Sequence, residues 1–150
     1  MLSPQDRWGI SDLLGRFCIA ADTRELSLLD DVLTPDVECV FQTGTAAGLD
    51  SVKAKMAAVL SRLTATQHNL TTSVVTEAPG GAAGTTYLVA QHVRAGADGG
   101  DTYAMGVTYR DRFVRTPTGW RIARRELAGS WRSGNPAVLT PPAPGVDGHQ

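Results

Sequence analysis

The apolar positions in the first part of the chain recur with the period of an α-helix. Ser3-Pro4-Gln5-Asp6 has the residues of a helix start, with Ser3 as N-cap, Pro4 in the first turn and Asp6 as a capping acid. One buried stripe follows at helical spacing, formed by Ile10, Leu13, Leu14, Phe17, Cys18 and Ala21. The pattern predicts a helix that ends near Thr23.

Further along, the pattern changes from helical periodicity to alternation. We expect a short helix over 26–33, a turn at Thr34-Pro35-Asp36 and a longer helix over 50–63. Strands are predicted at 37–42, 67–78, 84–95, 101–115 and 120–132. Turns rich in glycine and proline separate the last four strands. Helices followed by antiparallel strands predict an α+β fold, with the helices on one face of a curved sheet.

After Asn135 the chain is dominated by proline and glycine and offers little to bury. We expect one domain over 1–134 and an irregular tail over 135–150, with the alternative that the tail drapes over the body of the domain or a neighbouring chain. Residues 136–150 should be dispensable for folding.

Composition and charge argue against nucleic-acid-binding and membrane-binding proteins. Of the 150 residues, 42% are hydrophobic, and the formal net charge is −1, which gives no reason to expect nucleic acid or a membrane surface as partner. The start of the chain lacks the pattern of a signal peptide, so a cytoplasmic location is expected. The two cysteines, Cys18 and Cys39, are expected to be buried free thiols.

Asp22 is the first residue that breaks its pattern. It follows Leu14 and Cys18 at i+8 and i+4, so its carboxylate continues the apolar stripe. A carboxylate that faces a core is costly unless it is paired. Asp22 is either a functional group in a pocket or a residue past the helix end that caps a turn or binds an arginine.

Two histidines lie on predicted strands. Alternation places His92 on one face with Leu88 and Ala90, and His68 on one face with Leu70, Thr72 and Val74. Such histidines can be hydrogen-bonded core residues, but together with Asp22 they suit proton transfer near neutral pH. A metal site of two histidines and one carboxylate is a further alternative.

Other polar residues have simpler interpretations. The arginines of the last strands are expected mostly on a solvated face; they are Arg110, Arg112, Arg115, Arg121, Arg124, Arg125 and Arg132. No phosphate-binding loop, dinucleotide fingerprint or nucleophile elbow is present in the sequence.

Three segments resemble those of SnoaL-like domains. They are the run from Ile10 to Asp22, the segment Leu33-Thr-Pro-Asp-Val37 and Gly119-Trp-Arg-Ile122. These domains belong to the superfamily of nuclear transport factor two, ketosteroid isomerase and scytalone dehydratase. The resemblance implies a cone-shaped, curved, mostly antiparallel (mixed) sheet wrapped around the N-terminal helices and enclosing a pocket.

Within this superfamily the site pattern is most similar to that of scytalone dehydratase. Thr66-Gln67-His68 resembles its Thr-Gln-His segment, His92 its second histidine and Asp22 its aspartate. The resemblance implies that Asp22 orients His92 and that the two histidines share proton removal and protonation of a leaving hydroxyl. Ala21 and Phe41 replace two tyrosines of that enzyme, which argues against scytalone itself as substrate. The substrate-binding residues expected are Tyr109, Phe41, Trp131 and Met105.

The function implied is that of a cofactor-free acid–base enzyme of the dehydratase, isomerase or cyclase type. Its substrate would be a small, apolar, oxygenated ring compound, such as a polyketide-like or steroid-like molecule, and no metal is expected. The partners expected are this small molecule and further copies of the chain in a dimer or trimer. The alternative is a non-catalytic binding or assembly module with the same fold.

Overall fold

The computed structural model describes residues 1–141. Two α-helices, α1 (Pro4–Thr23) and α2 (Leu49–Leu60), are joined by a 3₁₀ helix at Leu26–Asp31 and the first two strands, and a second 3₁₀ helix spans Pro136–Val138. The strands are β1 (Leu33–Phe41), β2 (Gly44–Ala47), β3 (Ala65–Ala78), β4 (Gly81–Val93), β5 (Thr102–Thr116) and β6 (Gly119–Gly134). They form one sheet in the order β2-β1-β6-β5-β4-β3.

The expected fold class is confirmed: the protein is α+β, with N-terminal helices and a curved, open, mixed sheet. β1 runs parallel to β6, and every other neighbouring pair is antiparallel. The antiparallel pairs among β3 to β6 follow from their short hairpin connections. β1 is connected to β6 through β2, α2 and the strands β3 to β5, and a connection of this length permits a parallel pair.

The first strand differs from its prediction. β1 begins at Leu33, so the predicted turn Thr34-Pro35-Asp36 lies within the strand. Its pairing with β6 is interrupted between Leu33 and Glu38, and this irregularity accommodates Pro35, which has no backbone N–H to donate. β2 was not predicted, because its four residues are small and give no alternating pattern.

The N-terminus of α1 is held against the β5–β6 hairpin. Ser3 and Asp6 form a capping box, and the Nε1–H of Trp120 donates to Asp6 Oδ1 at 3.1 Å. The guanidinium of Arg115 also contacts Asp6 Oδ1, at 2.6 Å. Asp22 follows Asp6 by 16 residues, a helical rise of about 24 Å. The hairpin thereby fixes where Asp22 lies over the sheet.

The other end of α1 is tied to α2. Arg24 ends α1 in the left-handed region, with φ 63°. Its guanidinium donates to the carbonyl oxygen of Leu60 at 3.3 Å and to that of Leu63 at 2.9 Å. Carbonyl groups at a helix C-terminus lack partners within the helix, and a cation there is favourable. The two helices are therefore joined beside Asp22.

Buried apolar side chains form two clusters on the inner face of the sheet. The larger cluster includes the stripe of α1, the apolar face of α2 and residues of β1. The smaller cluster consists of Leu63, Leu88, Ala90, Tyr103, Met105, Val107, Tyr109 and Val138. The cavity described below is lined by members of both clusters.

The first residues of the predicted tail pack on the body of the domain. Val138 is fully buried in the smaller cluster, and Leu139 packs against that cluster. The guanidinium of Arg94 donates to the carbonyl oxygens of Ala137 and Thr140, the latter at 2.6 Å. These residues depart from the expectation of a tail with little to bury. Residues 142–150 of the predicted tail lie outside the described residues.

Within residues 1–141, no helix has both the length and the apolar character needed to cross a membrane. Cys18 and Cys39 are free and buried. Burial raises the pKa of each thiol to about 11, so neither is a thiolate at neutral pH.

Candidate active site

Asp22 lies at the end of α1, against the start of β3, and accepts three hydrogen bonds there. Its Oδ1 lies 2.6 Å from Nδ1 of His68 and 2.9 Å from the Thr66 hydroxyl, which donates to it. Its Oδ2 accepts the backbone N–H of His68 at 2.9 Å. Burial alone would raise the pKa of Asp22, but the bonds from His68 and Thr66 hold it below its usual value. Asp22 is therefore a carboxylate at neutral pH.

The prediction that Asp22 pairs with His92 is wrong. Asp22 pairs with His68, whereas Nδ1 of His92 lies 3.2 Å from the backbone carbonyl oxygen of Tyr103 on β5. In the β3–β4 register, His92 stands opposite Thr66 and His68 opposite Ala90. Asp22 approaches from the β3 side, so it reaches Thr66 and His68 on β3 before β4.

Both histidines nevertheless face the same space. Their ring centroids are 6.2 Å apart, with an angle of 78° between the ring planes. A carboxylate and a carbonyl oxygen can only accept, so Nδ1 carries the hydrogen in each ring. Each ring therefore has its Nε2 available to a ligand.

The two rings differ in their surroundings. His92 is 9% exposed, and burial, its largest effect, lowers the pKa of His92; the proximity of His68 lowers it further. The Tyr103 carbonyl and Asp22 act in the opposite direction but do not cancel the lowering. His92 is thus a neutral imidazole at neutral pH, whereas Nδ1 of His68 is bonded to the carboxylate of Asp22.

His68 and His92 lie in the wall of a cavity of about 130 Å³. The rest of its lining is mostly apolar and comprises Phe17, Ala21, Phe41, Thr43, Lys55, Met56, Val59, Leu60, Tyr109 and Leu127. An engineered cavity of about 150 Å³ binds benzene, so this volume suits one six-membered ring. Larger grooves lie on the surface, but the one along α1, between Trp8 and Ile19, has no histidine in its lining.

Tyr109 lines this cavity from the centre of β5. Its side chain is 2% exposed, and its ring meets that of Phe17 edge-on at 6.1 Å between centroids. Burial raises the pKa of Tyr109 well above its usual value, so the O–H keeps its hydrogen. Its hydroxyl forms no hydrogen bond within residues 1–141. The O–H is thus free to donate to a bound molecule.

An ion pair without solvent exposure lies behind Tyr109. Arg125 donates through Nε and Nη2 to the two carboxylate oxygens of Asp111, each at 2.8 Å, and both side chains are 0% exposed. Burial would lower the pKa of Arg125, but Asp111 raises it overall. The expectation of a solvated face is therefore wrong for Arg125. The signal was present, because Asp111 alternates with Tyr109 and Phe113 on the inner face.

The four expected substrate-binding residues divide between three places. Phe41 and Tyr109 line the cavity. Met105 is buried in the smaller apolar cluster and is not part of the cavity lining. Trp131 was wrongly placed: its side chain is 48% exposed on the outer face of the sheet, over Gly106. A bulge in β6 opposite Gly106 and Val107 changes the alternation there.

A second bulge, in β3, changes which side chains of that strand face inward. The register shifts between Leu70 and Thr72, so Ser73 points inward and bonds the Thr86 hydroxyl at 3.0 Å. Val74 is 62% exposed on the outer face. His68 therefore shares its face with Leu70 but not with Thr72 or Val74.

A metal site was a further alternative for Asp22 and the two histidines. In the described part of the chain, no three His, Cys, Asp or Glu side chains are grouped so that they could hold a metal ion. The carboxylate of Asp22 bonds the imidazole of His68 directly instead.

Comparison with known proteins identifies relatives along most of the chain. The model of the SnoaL-like domain family matches residues 3–126. The uncharacterized protein Rv2910c of Mycobacterium tuberculosis is 31% identical over 122 residues, which cover 80% of this chain and 82% of that protein. The crystal structure of Kfla4162 from Kribbella flavida superposes with a TM-score of 0.81 at 29% identity, covering 90% of this chain and 96% of that one.

Two more distant structures share the fold. A protein of Novosphingobium aromaticivorans, which its name assigns to the scytalone dehydratases, gives a TM-score of 0.76 at 18% identity, covering 86% of this chain and 87% of that one. A hexachlorocyclohexane dehydrochlorinase (LinA) gives 0.77 at 18% identity, covering 94% and 99%. The family match shows that the chain belongs to the SnoaL-like domain family, and its fold is that of the nuclear transport factor two-like superfamily.

Proposed function

We propose that this protein is a cofactor-independent acid–base enzyme of the dehydratase or isomerase type, acting on a small, apolar, oxygenated ring compound. The observation that carries the proposal is the Asp22–His68 pair, with 2.6 Å between Oδ1 and Nδ1, in the wall of an apolar, ring-sized cavity. A base needs both an orienting partner and access to the substrate, and His68 has the two together.

His68 would act as the general base through Nε2. When Nε2 takes a proton from a substrate carbon next to a carbonyl group, the ring becomes an imidazolium. The carboxylate of Asp22 stabilises that charge and keeps Nδ1 as the protonated nitrogen. The backbone bond from His68 to Asp22 fixes the position of the carboxylate relative to the ring.

Tyr109 would bind the carbonyl oxygen. As the proton leaves carbon, negative charge develops on this oxygen, and a donor already in place stabilises it. The O–H of Tyr109 suits this role because it is held in an apolar wall and has no other acceptor within residues 1–141. The ring of Tyr109 also forms part of the surface that a substrate ring would contact.

His92 would position the substrate rather than share the proton with His68. It is neutral, and its Nδ1–H is engaged with the Tyr103 carbonyl, so Nε2 is an acceptor. A hydroxyl group of the substrate can donate to this nitrogen. The role of proton donor, which the resemblance implied for both histidines, is then left to His68 alone.

The proton balance of such a step closes on His68. In a dehydration, Nε2 takes the proton from carbon, the enolate re-forms the carbonyl, and the C–O bond to the hydroxyl group breaks. The imidazolium returns its proton to the departing oxygen, so water leaves and a C=C bond remains. In an isomerisation the same proton returns to a different carbon. Neither route requires an oxidant or reductant.

The size of the cavity narrows the class of substrate. A volume of about 130 Å³ holds one ring, so we favour monocyclic compounds over the steroid-like alternative. Two structural neighbours carry the names of enzymes that act on ring compounds, a scytalone dehydratase and a hexachlorocyclohexane dehydrochlorinase. At 18% identity these neighbours show that the fold is shared. Their names are compatible with a ring compound as substrate but do not identify one.

The test is a screen of monocyclic β-hydroxyketones with the wild-type protein, followed by His68→Gln. Formation of the conjugated ketone is measured by its ultraviolet absorbance. We expect turnover by the wild type and a loss of about 10²–10⁴-fold in kcat for His68→Gln. Binding of these compounds without turnover by the wild type would instead favour the non-catalytic binding module.

A further inference from the structure

Lys55 is the one formally charged side chain, other than the histidines, in the lining of the cavity. It lies on α2 and is half-buried, with Nζ 5.8 Å from the ring centroid of Phe41. Its nearest polar contact is weak: Nζ donates to the carbonyl oxygen of Thr43 at 3.4 Å. Within residues 1–141 it has no carboxylate partner. By contrast, Lys53, one half-turn away on the same helix, is paired with Asp30.

The lining residues of the cavity differ in their exposure. Tyr109 and His92 are buried, at 2% and 9% exposure. Lys55 is half-buried and Thr43 is exposed, so these two residues mark the side of the cavity nearer to solvent. The rest of the lining is mostly apolar, and the cavity as a whole has the volume of one ring. A molecule whose ring fills this space presents one substituent to the acid–base groups and another to Lys55.

We propose that Lys55 recognises a carboxylate on the substrate, which is therefore a monocyclic acid whose anionic group lies at the mouth of the cavity. This proposal rests on the proposed function for the identity of the ligand as a substrate. It assigns to Lys55 a binding and specificity role, and none in proton transfer.

Charge and solvation favour this occupant. The twelve lining residues include no Asp, Glu or Arg, so nothing in the lining neutralises the ammonium group or repels an anion. A cation beside apolar walls attracts an anion more strongly than the same cation in open water. An ammonium is a compact single charge with three donors, which suits one carboxylate. The Thr43 hydroxyl group offers a further donor at the same end.

The experiment measures binding rather than turnover, by titration calorimetry with benzoate and benzamide. These two probes have nearly the same size and ring, but only benzoate is charged. The variants are Lys55→Met, which removes the charge, and Lys55→Arg, which keeps it. Lys53→Met is the matched control, because it removes a charge from the same helix outside the cavity. His68→Gln is included to separate this binding from the acid–base pair.

We expect the wild type to bind benzoate more tightly than benzamide by about fivefold to thirtyfold, as for a partly buried charge-assisted contact. The preference should disappear in Lys55→Met and persist in Lys55→Arg, Lys53→Met and His68→Gln. It should also weaken as the salt concentration rises.

Three results would overturn the proposal: benzoate that binds no better than benzamide, including no measurable binding of either; a preference that survives in Lys55→Met; or a preference lost in His68→Gln. Because no turnover is measured, these outcomes are separate from the kinetic test of the proposed function. A carboxylate preference that depends on Lys55 would stand even if no substrate were turned over.

Discussion

The guanidinium carbon of Arg125 lies 3.8 Å from the ring centroid of Tyr109, while the same guanidinium holds both carboxylate oxygens of Asp111. Arg125 and Asp111 face each other across β5 and β6, and a second ring, that of Phe17, lies 4.3 Å from the cation. The cation is therefore enclosed by two aromatic faces and one carboxylate. This arrangement fixes the wall of the cavity that carries the Tyr109 hydroxyl group.

Removal of Asp111 should be costly for stability. Asp111→Ala leaves the charge of Arg125 buried and unpaired, and we expect the free energy of unfolding to fall by about 3–5 kcal/mol. Glu126→Ala, which removes a half-exposed partner of Arg124 on the outer face, should cost less than about 1 kcal/mol. Urea denaturation measures both. Replacement of both members of the buried pair, by Asp111→Leu with Arg125→Met, should recover most of the lost stability. Equal losses of stability in Asp111→Ala and Glu126→Ala would contradict this account.

Asp22→Asn tests the pairing with His68 in the presence of a substrate. An amide can donate to Nδ1 and thereby favour the wrong tautomer, and it cannot stabilise the imidazolium. We expect kcat to fall by about 10²–10⁴-fold, with a much smaller change in KM. Asp12→Asn, on the same helix but exposed and paired with Arg16, should leave kcat unchanged. Near wild-type turnover by Asp22→Asn would show that His68 needs no carboxylate.

His92 should titrate below the ordinary histidine value of 6.5, since burial disfavours its charged form. The folded protein then binds this proton less tightly than the unfolded chain does. The contribution of neutral His92 to stability is therefore complete above about pH 6.5 and is lost as the pH falls toward the folded-state pKa. Proton NMR of the imidazole C–H signals, assigned with His92→Gln, measures the midpoint. A midpoint at or above 6.5 would contradict the neutral assignment.

Phe41 and Trp131 should differ in their effect on ligand binding, although the sequence predicted the same role for both. Phe41 lines the cavity, whereas Trp131 lies on the outer face of the sheet. Phe41→Ala should weaken the binding of a ring ligand about tenfold, since a buried aromatic contact contributes about 1–2 kcal/mol. Trp131→Ala should leave the dissociation constant unchanged. Calorimetry with benzoate, applied to both variants, shows which face of the sheet binds the ring.

Val138 should contribute to stability although it lies in the segment that the sequence marked as dispensable. Val138→Ala removes buried methyl groups from the smaller cluster, and we expect a loss of about 1–3 kcal/mol. Val74→Ala, at an exposed strand position, should cost less than about 1 kcal/mol. Thermal denaturation compares the pair. A larger effect at Val74 would mean that the outer face is covered in solution.

Periodicity and resemblance were enough to predict the fold and the three main polar residues. Helical and strand periods are local properties, so they placed Asp22 on the buried stripe of α1 and each histidine on a face of its strand. The expectation that the three residues share one site came from the resemblance to scytalone dehydratase. The choice of partner is different, since it depends on how α1 meets the sheet. β3 is the edge strand nearest to Asp22, so Asp22 reaches Thr66 and His68 rather than His92 on β4, and no single segment encodes that arrangement.

The errors at Thr72, Val74 and Trp131 share one cause. Each follows a bulge, and a bulge adds one residue and reverses every later assignment of a side chain to a face. Lys55 was missed for another reason: its position between the apolar residues of α2 looks like that of any helix lysine.

The expected dimer or trimer stays a prediction, which light scattering can check.

The parallel pairing of β1 with β6 has a consequence for the order of assembly. Among the described residues, β1 and β2 join the remaining strands only through β6, which is synthesised after the other five strands. Phe41 and Leu127, on opposite sides of that junction, both line the cavity. A nascent chain that lacks β6 can form the hairpins of β3 to β5 but cannot enclose a ligand. The binding site is therefore acquired in one late step, through contacts between residues about 90 positions apart, and contacts of that range form slowly.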